Sequence, residues 1–199
     1  MPSAVEGPAC RAFLLLAGTL AALALLGGCG SDQGTVGTTS PARTSTTPRV
    51  SHAAPDLEAL LPSAVDGRRL HKGSTTGAVV FGGNAFGRVM TRLLEVHGRR
   101  PQDLRFANAQ ASSNVSEIEI GVFQVRGLDG SALRRAIVAS SRPNAPGLIA
   151  RGAIVSGRHV TKVVYPSGST LYLYTHGDLV FYVGAPSETL AGRVIAALP

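Results

Sequence analysis

Few residues in this 199-residue chain are of a type that does chemistry, and their spacing says more than their number. The five histidines are His52, His71, His97, His159 and His176, and the two cysteines are Cys10 and Cys29. Zinc sites draw their ligands from short fixed spacings such as HxxxH, HExxH or CxxC, and the chain contains none of these. A site gathered from distant residues would need His71 with His176 and Asp178. The GxSxG of a serine hydrolase elbow is absent. Gly73-Ser74-Thr75-Thr76-Gly77 and Phe81-Gly82-Gly83-Asn84 precede a helical pattern, where phosphate loops sit, but neither GxxxxGK[ST] nor GxGxxG occurs, so both read as surface loop. No catalytic residue, metal ligand or cofactor is therefore expected. Tyr172, Tyr174 and Tyr182 remain as a candidate binding surface, because tyrosine combines a large apolar ring with a polar tip.

Cys29 gains its meaning from what precedes it. Ala12 to Leu26 is a run of fifteen residues without a charge, preceded by Arg11 and followed by small residues. That is the order of a secretory signal. A membrane-spanning helix needs about 20 apolar residues, and Gly27-Gly28 would weaken this one further. Export is expected. Leu26-Gly27-Gly28-Cys29 resembles the lipobox of bacterial lipoproteins. The resemblance implies that residues 1–28 are removed, that Cys29 becomes the first residue and carries the lipid, and that the protein sits on the outer face of the cell membrane. Cysteine usage agrees, since Cys10 would leave with the signal and no disulfide could form in the mature chain.

The elements that would carry these residues follow. Residues 29–55 are rich in Gly, Ser, Thr, Pro and Ala, with little that could bury apolar surface, so they are expected to form a disordered spacer. Residues 56–199 form one domain. Asp56 to Leu61 reads as a short helix capped by Asp56, Gly67 to Gly73 as a strand, and Asn84 to His97 as a helix with Asn84 as N-cap. Leu104 to Ser112 and Glu117 to Arg126 read as a hairpin, with Ser113-Asn114-Val115 as its turn. Asp129 to Ser140 is a second long helix. Four strands then follow as a meander before a last helix, Ser187 to Leu198. A three-residue turn pairing Thr175 with Leu179 would gather Tyr172, Tyr174 and Tyr182 on one face.

The fold class expected is α+β, an antiparallel sheet with helices mainly on one face. Strand, helix, strand, strand, helix fits a ferredoxin-like βαββαβ first half, extended by the β-meander and C-terminal helix. As a whole the domain resembles lipoprotein domains of uncharacterised role from high-GC bacteria. From Asp56 onward there are 16 Lys plus Arg against 10 Asp plus Glu, a net of +6. Such a charge suits an envelope polymer, an anionic lipid or a protein partner better than nucleic acid outside the cytoplasm. The functions that fit are a lipid-anchored extracytoplasmic binding module, a carrier of a hydrophobic acyl ligand, or an envelope enzyme.

Overall fold

The computed structural model describes residues 51–81, 83–111 and 118–199. Cys29 and the turn at Ser113-Asn114-Val115 lie outside the described residues. Ser51–Pro199 is one compact unit, so its boundary falls five residues before the expected Asp56. In chain order its elements are α1 (Pro55–Ala59), β1 (Ala64–Val65), β2 (Arg68–Thr76), α2 (Gly77–Val80), α3 (Ala85–Val96), β3 (Leu104–Ala111), β4 (Glu119–Val125), α4 (Gly130–Ser141), β5 (Ile149–Val155), β6 (Arg158–Val164), β7 (Thr170–His176), β8 (Leu179–Gly184) and α5 (Glu188–Ala197).

The class is α+β, with an eight-stranded sheet in the order β1-β2-β3-β4-β8-β7-β6-β5. Every strand pairing is antiparallel. Two meanders meet at the β4–β8 pair, and α4 carries the chain from the middle of the sheet to its far edge at β5. The first half is not the ferredoxin-like unit its element order suggests. Residues 77–103 leave and return at the same end of the sheet, since Thr76 pairs with Arg105, so β2 and β3 become direct antiparallel neighbours. A ferredoxin-like unit instead joins parallel strands through its helices.

Capping and apolar spacing explain the helices. Asn84 accepts the Gly87 amide at 2.8 Å and starts α3, which buries Met90 and Leu94. Asp129 accepts from Ser131 at 3.1 Å to start α4, which buries Leu133, Ala136 and Ile137. Ser187 accepts from Leu190 at 3.3 Å to start α5, which buries Leu190, Val194 and Ile195. In α1, however, the N-cap is Ala54, not Asp56. The Asp56 carboxylate pairs with Arg105 instead, and the helix begins at Pro55, a residue whose missing N–H costs nothing there.

The two long helices α3 and α4 cover one face of the sheet, over Leu104, Phe123, Val125, Leu173 and Val180. On the opposite face α1 and α5 cover Ala107, Ile120, Val122, Phe181 and Val183. Each valine, leucine, isoleucine or phenylalanine among them is worth about 1.5–3 kcal/mol when fully buried, so the sheet has a working core on both sides and the unit is of a size that folds alone.

Candidate functional site

The register of β7 on β8 decides where the tyrosines stand. His176 pairs with Leu179 across a two-residue turn, so the expected three-residue turn and its pairing of Thr175 with Leu179 are corrected. Gly177 takes φ +60° at the first turn position while Asp178 keeps a negative φ, the pattern of a type II′ turn whose twist matches that of the strands. One step of register moves a side chain to the other face. Tyr172 and Tyr174 thus face α1 and α5, whereas Tyr182 faces α3 and α4.

The three tyrosines therefore form no common surface. Tyr172 is buried, donates its hydroxyl to Glu188 at 3.3 Å and lies 5.6 Å below the Lys162 ammonium. Tyr174 is half-buried, against Phe181 and beneath the Arg158 guanidinium at 4.8 Å. Tyr182 is buried and donates to Glu119 at 3.0 Å. Burial of the phenol raises its pKa well above the ordinary value, and the Glu119 carboxylate pushes in the same direction. Glu119 is itself raised, because burial penalises its charge more than the Tyr182 hydrogen bond relieves it.

The distant histidine site does not assemble either. His71 pairs with Gln110, which pairs with Glu119, whereas Asp178 accepts from Gln124, five residues further along β4. At about 3.3 Å per residue the two ends stand roughly 17 Å apart along the strands. Among the described residues no three His, Cys, Asp or Glu side chains converge as metal ligands. The expected loop at 73–77 is mostly strand, since Gly73 to Thr76 pair with Asn108 to Arg105.

What the tertiary structure does gather is charge. Acidic residues on and around the α1/α5 side have partners: Asp56 with Arg105 and Arg126, Glu58 with His52, Asp66 with Arg193, Glu188 with Lys162. The helical layer opposite carries Arg88 and Arg92 on α3, Arg99 and Arg100 after it, Arg134 and Arg135 on α4, and Arg142 at its end. Among the described residues none of these seven is in an ion pair. All but the half-buried Arg134 are exposed. Arg88 donates to the Gly83 carbonyl at 2.7 Å, which holds its guanidinium at the lip of an open groove of about 430 Å³. Phe81, Gly87, Thr91, Arg92 and Glu95 complete the groove wall. A field of unpaired guanidiniums of this kind attracts anions, and the fork of each one suits phosphate or carboxylate oxygens.

Sequence reasoning counted the basic excess but did not place it on this layer. The signal was Arg88 and Arg92 one turn apart, opposite the apolar stripe of Met90 and Leu94, and it meant nothing until α3 lay beside α4. Comparison with family models, with curated proteins and with solved structures returned no match. The functional reading rests on the residues themselves.

Proposed function

We propose that the chain is a lipid-anchored extracytoplasmic binding module of the bacterial cell envelope, tethered through Cys29, which uses the α3/α4 layer to bind an anionic partner. The observation that carries it is the set of seven arginines on one helical layer that are in no ion pair among the described residues, opposite a face whose acids are paired. The lipobox at residues 26–29 supports the address.

Soluble polyphosphate is a direct probe for the compact unit, residues 51–199. Binding should be present at 50 mM salt and fall about tenfold or more by 300 mM, since exposed charges are screened over a shorter distance as salt rises. Reversing Arg92 and Arg135 to Glu together should abolish it. Salt-insensitive binding, or equal binding by the reversed variant, would remove the α3/α4 layer from the function.

A further inference from the structure

The same layer bears two exposed apolar side chains, and charge alone gives no reason for them. Val79 on α2 is 54% exposed and Val96 at the end of α3 is 77% exposed. The elements that carry them meet at Pro101: a Cβ placed on Gly77, two residues before Val79, would lie 2.4 Å from the Pro101 carbonyl, just beyond Arg99 and Arg100. Along α3, Arg88, Arg92 and Val96 follow one another at i, i+4 and i+8, so two cations and an apolar side chain share one stripe. Thr91, Arg92 and the half-buried Phe81 line the adjoining groove.

A soluble polyanion would use the arginines and leave both valines in water. A bilayer surface uses both, because its head groups attract guanidinium while the boundary with the acyl chains takes up short apolar side chains. Building on the reading that this layer binds an anionic partner, we propose that the partner is the anionic bilayer itself, docked through Val79, Val96 and the arginines around them. No helix among the described residues is long and apolar enough to cross a membrane, so the contact is with the surface. Twenty-one residues separate Cys29 from Ser51, a length of chain that could reach at most about 75 Å fully extended. A lipid on Cys29 would thus hold the domain within reach of the leaflet that carries it. A weak second contact then gains from high effective concentration. Lipid plus a basic patch is a stable combination where one chain alone is marginal.

Co-sedimentation of residues 51–199 with vesicles of 30 mol% phosphatidylglycerol in phosphatidylcholine tests this, with pure phosphatidylcholine vesicles and soluble polyphosphate alongside. The protein should bind the anionic vesicles and leave the neutral ones. A Val79→Ser, Val96→Ser double variant, whose changes are at exposed positions, should lose about fivefold in vesicle binding and keep its polyphosphate binding. Arg92→Glu should weaken both. Salt-sensitive polyphosphate binding without vesicle binding, or vesicle binding indifferent to the two serines, would overturn the bilayer contact and leave the anionic partner a soluble polymer. Failure to bind either probe would overturn both readings.

Discussion

Tyr182 donates its hydroxyl to the Glu119 carboxylate at 3.0 Å, joining residues 63 positions apart across the β4–β8 seam. This pair sits where the two meanders of the sheet meet, under the aromatic side chains Phe106 and Phe123. It places a half-buried acid against the core that has no basic partner among the described residues.

The sign of its pH dependence follows from burial. Glu119 holds its proton more tightly in the folded protein than in the unfolded chain, because desolvation raises its pKa above 4.5. Its contribution to stability is therefore fully present below the ordinary carboxylate value and is lost as pH rises through the raised one. Glu119→Gln keeps an acceptor for Tyr182 without the charge. Urea midpoints should show the variant more stable than the parent at pH 7, with the gain shrinking toward pH 4. An equal difference at both values would mean that the carboxylate is not strained by burial.

Gly121 leaves room for the same tyrosine. A Cβ on it would stand 2.2 Å from Tyr182 Cε1, on rigid ring and strand atoms that cannot step aside cheaply. Gly121→Ala should cost about 1–3 kcal/mol, the usual range for overpacking. Combined with Tyr182→Leu, which removes the ring, the alanine should cost much less. Additive losses in denaturant titrations would show that the clash is not what makes glycine necessary.

Ser74 fastens the start of the compact unit to β2. Its hydroxyl accepts the Ala54 amide at 2.7 Å and donates to Glu58 at 2.5 Å, while the other Glu58 oxygen holds His52 Nδ1 at 2.8 Å. Ser74→Ala strands a buried N–H and removes a donor from a buried carboxylate, a loss of about 1–3 kcal/mol. Hydrogen exchange at Ala54 should quicken more than exchange in α4. Unchanged protection there would rule out the latch.

Gly177 in the β7–β8 turn and Gly130, which packs against it from the start of α4, should respond differently. Gly177 has φ +60° and open space around its missing Cβ, so Gly177→Ala should cost only backbone strain, roughly 1–2 kcal/mol. A Cβ on Gly130 would lie 2.6 Å from both the Gly177 carbonyl and Thr175 Cγ2, so Gly130→Ala should cost more. Thermal midpoints in the reverse order would argue against the two-residue turn.

Cys29→Ser tests the address. The variant should leave the membrane fraction or remain unprocessed, by fractionation and by mass. Membrane-bound protein of mature size would contradict the lipid attachment.

Much of the domain was legible from its residues. α3, α4 and α5 lie within a residue or two of their expected limits, because cap residues and a 3.6-residue apolar period are local signals. The four-strand meander was legible for the same reason, with turn residues between alternating runs. The register of β7 on β8 was not. His176-Gly177-Asp178 admits two turn lengths, and a single residue of slip carries Tyr172 and Tyr182 to opposite faces.

The neighbours of β2 were equally out of reach, since they depend on where residues 77–103 bring the chain back. The amino-acid order by itself determined the three long helices, the α+β class, the excess of arginine and the resemblance at residues 26–29, all of them properties of short windows or of composition. Tertiary structure decided which strands adjoin, which tyrosines are buried and which arginines find an acid. Those outcomes depend on distances between residues far apart in the chain, and no local pattern encodes them. The seven arginines of the α3/α4 layer became a surface only when two helices, separated by a hairpin in sequence, packed side by side on one face of the sheet.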